Sequence, residues 1–112
     1  MEIRIDVPEA MAHGDTRTFD FPRNGRPAQG FVIKHKGGFS AYHNQCCHWP
    51  VALDMGDGDF YYAAADRIMC KTHGAAYVPD TGYCDFGPCV RASLDSFPVR
   101  AGDGYVLVTV PD

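Results

Sequence analysis

Two short runs of this chain carry metal-binding side chains at a suggestive spacing: Cys46-Cys47-His48, and further on Cys70-Lys71-Thr72-His73. Each supplies one soft thiolate and one imidazole, as Cys-x-His and then Cys-x-x-His. Thiolate and neutral imidazole both bind borderline transition metals well, so four such donors on two loops point to a metal centre. A single tetrahedral zinc ion is one use for them. Structural zinc loops, however, usually pair Cys with Cys and His with His rather than one of each. Another reading makes Cys46 or Cys70 a nucleophile beside a histidine, which leaves the other pair unexplained.

The second run continues Gly74-Ala75-Ala76-Tyr77-Val78-Pro79-Asp80-Thr81-Gly82 and is followed by Gly87-Pro88. This stretch resembles the second cluster-binding loop of Rieske iron–sulfur proteins, and the resemblance extends from about Phe39 to Val110. It implies one [2Fe–2S] cluster per chain, with His replacing Cys on one iron. By that resemblance Cys46 and Cys70 bind the inner iron, and His48 and His73 the outer iron. Two ferric ions, two sulfides, two thiolates and two neutral imidazoles sum to zero charge. Adding an electron to a neutral centre takes less electrostatic work than adding it to the dianion of an all-thiolate cluster. Rieske potentials accordingly lie at roughly −150 to +300 mV.

Hydrogen bonds behind the ligands set where in that range a centre falls. High-potential members place a serine two residues after the second histidine and a tyrosine four after it. Here the first position is Ala75, which cannot donate, and the second is Tyr77, which can. The loss of one donor implies a potential in the lower part of the range, as in ferredoxin-type members. The inter-loop disulfide of the respiratory branch would fall at Val51 and Thr72, so that link is absent. Two departures stand out: Trp49 and Pro50 replace the usual glycine-containing step, and the acidic stretch 54–59 lengthens the spacing between the pairs. Trp49 and Pro50 are expected to shield the cluster, with Gly74, Gly87 and Pro88 shaping the loop around it.

The elements that must position these loops read as strands. Period-two alternation dominates, and sustained helical periodicity is absent. Thr16 to Phe21 reads as a strand, with Asn24-Gly25 as a tight turn. Gly30 to Lys36 alternates Phe31, Ile33 and His35 against Val32, Lys34 and Lys36. Gly37-Gly38 then fits a hairpin into Phe39 to His43, which places the first ligand pair at a strand end. Phe60 to Ala65 is ambiguous between strand and helix. Arg67 to Cys70 and Ala76 to Val78 flank the second pair, and Ser96 to Arg100 with Tyr105 to Val110 form a terminal hairpin. The expected fold is all-β and antiparallel, a sandwich or barrel base with a small cluster-binding subdomain. Residues 1–112 fit one domain, with cluster loops at about 44–51 and 70–89.

Composition narrows the function. The net charge is −4, with no basic run beside aromatics, which argues against a nucleic-acid partner. No segment has the apolar length to span a bilayer, and the charged start has no secretory pattern, so the cytoplasm is the expected location. Five cysteines in a reducing compartment suggest ligation or free thiols, which describes Cys47, Cys84 and Cys89, with a Cys84–Cys89 bridge as a minority alternative. His13, His35 and His43 read as surface or strand residues. Asp54, Asp57 and Asp59 lack the spacing of an EF-hand and read as a solvated acidic turn. The chain has no candidate for the mononuclear iron site of an oxygenase. It therefore reads as a non-enzymatic, soluble one-electron carrier. The resemblance implies transient partners: a reductase and a terminal oxygenase or other terminal enzyme. The alternatives are a zinc-stabilised interaction module and a cluster-based redox sensor.

Overall fold

The computed structural model describes residues 1–8, 11–46, 51–72 and 74–111. All its regular elements are strands, paired antiparallel in three sheets. The central sheet contains β2 (Thr16–Arg23), β3 (Arg26–His35), β4 (Gly38–His43) and β9 (Ser96–Phe97), in that order. β1 (Glu2–Asp6), β10 (Val99–Ala101) and β11 (Tyr105–Thr109) form a three-stranded sheet with β11 in the middle. The third sheet is a meander of β5 (Tyr61–Tyr62), β6 (Arg67–Met69), β7 (Ala76–Tyr77) and β8 (Cys84–Phe86).

The hairpins follow from local chemistry. Asn24 and Gly25 both take positive φ, 53° and 74°, which a two-residue turn matched to strand twist requires. The next turn uses Lys36 and Gly37, at 51° and 82°, one residue earlier than the Gly37-Gly38 pair expected from sequence. β3 also begins earlier, at Arg26, because Pro27 sits opposite Pro22 near the hairpin end and interrupts little of the ladder.

β3 carries the architecture. Phe31, Val32 and Ile33 are all buried, and the pleat sends them to opposite faces. Phe31 and Ile33 join Tyr42, Leu53, Phe60, Ile68, Tyr77 and Leu94 in one core, where the Phe31 and Phe60 rings stack at 4.0 Å. Val32 joins Ile5, Phe19, Phe21, Ala41, Phe97, Val106 and Val108 in a second core, between the central sheet and the three-stranded sheet. The alternation along β3 therefore divides it between the base and the sheet that bears the second ligand loop.

The C-terminal region departs from the expected single hairpin. Ser96–Phe97 pairs with β4, whereas Val99–Ala101 pairs with β11. Pro98, which has no N–H to donate, separates the two, so one stretch serves two sheets. β1 was not foreseen from sequence, although Met1, Ile3, Ile5 and Val7 alternate with Glu2, Arg4 and Asp6. It gains its place by pairing along β11, from Glu2 opposite Thr109 to Asp6 opposite Tyr105. The ambiguous 60–65 stretch resolves into the short strand β5 and a turn through Asp66, whose φ is +52°.

Candidate metal centre

The first ligand loop leaves the end of β4 at Asn44, and that buried side chain closes it. Asn44 Oδ1 accepts the Leu53 N–H at 2.8 Å, while Nδ2 donates to Gln29 Oε1 at 2.6 Å and Asp54 Oδ1 at 3.1 Å. Residue 44 is thus stitched to residues 53 and 54. Inside this closure the Cys46 N–H donates to the Val51 carbonyl at 2.9 Å.

Asp54 was expected in a solvated acidic turn and is instead buried. Its Oδ1 also accepts the Gly56 N–H at 3.1 Å and its Oδ2 the Gly58 N–H at 2.9 Å, so it organises the extra residues into a compact turn. Burial pushes its carboxyl upward. The bonds from Asn44, Gly56 and Gly58 outweigh this and hold it below the usual carboxylate range. Asp57 and Asp59 remain exposed but face Lys71, next to Cys70, and the Lys71 hydrogen bond lowers the Asp57 carboxyl. The added segment therefore braces one ligand loop against the other. The Lys71 N–H, bonded to the Leu53 carbonyl at 3.0 Å, reinforces the link.

The second loop is the connection between β6 and β7, where Met69 pairs with Ala76. The Cys70 N–H donates to the Ala75 carbonyl at 2.9 Å, and the Gly74 N–H returns to the Cys70 carbonyl at 2.8 Å. Gly74 turns the chain with φ of +74°. The Gly87-Pro88 turn lies against this loop: a Cβ on Gly87 would stand 2.8 Å from Ala75 Cα, and its φ is +96°. Both constraints select glycine there.

Both candidate cysteine ligands are buried and reduced, and both belong to the core around Tyr77 and Ala75. Tyr77 stands on β7, after the second loop, yet its hydroxyl lies 3.6 Å from Cys46 Sγ in the first. Ala75 is fully buried and presents only a methyl group. His48 and His73, the candidate imidazole ligands, lie outside the described residues, as do Cys47, Trp49 and Pro50. Cys84 is a reduced cysteine whose Sγ meets the Phe86 carbonyl at 3.2 Å. It therefore does not pair with Cys89, which is disulfide-bonded rather than a free thiol. Two buried thiols on two closed loops, with a hydroxyl aimed at one sulfur, suit a thiolate-held metal group.

The other histidines divide. His43 is a packed strand-end residue, as expected: its Nδ1 accepts from Arg23 Nη1 at 2.9 Å. Burial first, and then the Arg23 charge, lower its pKa. His35 is not a surface residue. It is buried, with Nδ1 2.6 Å from Asp80 and Nε2 2.9 Å from Asp66. The functional residues that sequence reasoning passed over are Asn44 and Asp54. The available signal was Asp54-Met55-Gly56, a side-chain-capped turn of the kind Asp favours.

Comparison with known proteins agrees with this geometry. A sequence model described as the Rieske [2Fe-2S] domain matches residues 5–98. The chain belongs to that family. Among solved structures it is similar to the ferredoxin of carbazole 1,9a-dioxygenase from Nocardioides aromaticivorans IC177. That match has 23% identity and a TM-score of 0.70, covering 96% of this chain and 95% of the other. It is also similar to a chain in the complex of reduced oxygenase and oxidized ferredoxin of carbazole 1,9a-dioxygenase. Identity there is 28% at a TM-score of 0.70, over 96% of this chain and all of that one. No curated protein matches. The cofactor is accordingly a Rieske-type [2Fe–2S] cluster, and the chain is an electron carrier. Among the described residues no helix is long and apolar enough to cross a membrane.

Proposed function

We propose that this chain is a cytoplasmic one-electron shuttle that takes electrons from a reductase and delivers them to a terminal oxygenase. Cys46, His48, Cys70 and His73 hold the cluster, and the chain supplies no catalytic residue of its own. Residues 1–112 act as one domain, with cluster loops at about 44–51 and 70–89. The observation that carries this reading is the convergence of Cys46 and Cys70 in one core, each on a loop closed by its own backbone. When bound, the cluster supplies a centre that accepts and releases a single electron.

The residues around it do the rest. Asn44 and Asp54 fix the first loop, and Gly74 with Gly87 fixes the second. Tyr77 donates to the first thiolate, and Ala75 withholds a second donor. Val51, Phe86 and Val90 are exposed apolar side chains on or near the two loops, available for brief docking. The net charge of −4 favours partners with basic surfaces.

Iron and acid-labile sulfide analysis tests the reading. About two of each per chain in coloured protein is expected, lost when Cys70 becomes Ser. One zinc per colourless chain would refute it. Rapid mixing of reduced protein with a Rieske oxygenase then tests the acceptor, which should reoxidise the ferredoxin.

A further inference from the structure

Two histidines and an aspartate that are far apart in sequence meet at the seam between the central sheet and the β5–β8 sheet. His13 lies in the loop before β2, His35 ends β3, and Asp66 sits in the turn between β5 and β6. Their ligand atoms all lie within 4.8 Å of one another. His35 Nε2 is 2.9 Å and His13 Nε2 3.3 Å from the same Asp66 Oδ1. Donors at tetrahedral positions around zinc, bound at about 2.0–2.1 Å, stand about 3.3 Å apart, so both edges are close to that size.

The surroundings fit the same purpose. The His35 side chain is only 3% exposed, and its Nδ1 lies 2.6 Å from Asp80 Oδ1. An imidazole that donates Nδ1–H to a carboxylate points its Nε2 lone pair outward, as zinc-binding histidines do. Asp66 is held ionised, well below the usual carboxylate range, first by the Tyr61 hydroxyl and then by His35. His13 and Asp66 are both about half exposed, 46% and 45%, which gives an ion entry and leaves room for water.

We propose that His13, His35 and Asp66 form a second metal site, separate from the cluster, that takes one divalent ion of the zinc type. Water completes the tetrahedron, and Asp80 orients His35 from behind. The ion takes the place of the proton that His35 Nε2 shares with Asp66, and of the one that His13 Nε2 divides between Asp66 and the Tyr61 hydroxyl, 3.0 Å away. His13 then carries its ring proton on Nδ1 and gives up the hydrogen bond it accepts from the Lys36 N–H at 3.1 Å. Its exposure lets the ring turn to shorten the remaining edge, between the two imidazole nitrogens. The site clasps the loop before β2 and the end of β3 to the hairpin whose second strand leads into Cys70.

The test uses the cluster-loaded protein. Zinc chloride is titrated calorimetrically, and zinc and iron are measured by mass spectrometry after dialysis. One zinc per chain is expected with iron content and visible spectrum unchanged and a raised melting temperature. His13→Ala and Asp66→Asn should each weaken binding at least tenfold, and Asp103→Asn, in the distant β10–β11 turn, should not. His13→Ala changes an exposed residue, so the test survives if the Asp66 variant fails to fold. No uptake below millimolar zinc, equal uptake by wild type and His13→Ala, or uptake matched by iron loss would each overturn the proposal.

Discussion

Replacing Tyr77 by Phe removes one oxygen atom from a fully buried ring and keeps the packing. The hydroxyl lies 3.6 Å from Cys46 Sγ, a long contact even for sulfur. When Cys46 is a cluster thiolate, the hydroxyl can only donate, and it stabilises the more electron-rich, reduced state more than the oxidised one. Net hydrogen-bond contributions run about 0.5–1.5 kcal/mol, and the length of this contact argues for the lower part, about 0.5–1 kcal/mol. A tenfold change in a one-electron equilibrium is about 59 mV, or about 1.4 kcal/mol, so the variant should fall by about 20–45 mV. Redox titration followed by circular dichroism or electron paramagnetic resonance reads the midpoint directly. Iron and sulfide content should match wild type. A midpoint unchanged within error, or raised, with full cluster content would refute the role given to the hydroxyl.

Ala75→Ser should shift the midpoint the other way, by adding a donor at a buried position beside the second loop; voltammetry of the two single variants and the double variant would show opposed effects. Asn44→Ala removes three side-chain hydrogen bonds within or beside the buried loop closure, at roughly 1 kcal/mol each, and should lower the unfolding free energy by about 2–4 kcal/mol in urea titrations. A loss below about 1 kcal/mol would show that the loop closes without it. Asp54 has its pKa depressed in the folded state, so its contribution is complete above the normal carboxylate range and disappears as the pH falls through the lowered folded value. Acid should therefore release the first loop, seen as faster cluster loss. Asp54→Asn should flatten that acid dependence while losing stability near neutrality.

The candidate site was more legible in the sequence than the frame around it. Cys46 and Cys70 stood out as candidates because ligand chemistry restricts residue type and spacing together, and Tyr77 and Ala75 were read at fixed offsets from His73. Alternation along β3 correctly divided Phe31 and Ile33 from Val32, because the pleat leaves no other choice. His35 lies on the same face as Phe31 and Ile33, and its burial was implicit in that alternation; its polar side chain hid the signal. Its partners Asp66 and Asp80 are distant in sequence, so no local pattern reveals them. Asn44 and Asp54 were missed for a related reason. Their value lies in bonds to each other and to backbone groups across the loop, and composition alone reads Asp54, Asp57 and Asp59 as solvated charge. The split of residues 96–101 between two sheets depends on which distant strands are present to accept them.

The sharing of β3 between two cores limits how the molecule can be taken apart. Phe31 and Ile33 look one way and Val32 the other, so neither half keeps a hydrophobic interior if the chain is cut between them. A minimal peptide built from the two ligand loops and the β5–β8 meander would lack its stacking partner for Phe60. It should behave as a molten fragment, not as a miniature redox module. Grafting this electron-carrying unit onto another scaffold must therefore transfer the whole β2–β4 hairpin array with it.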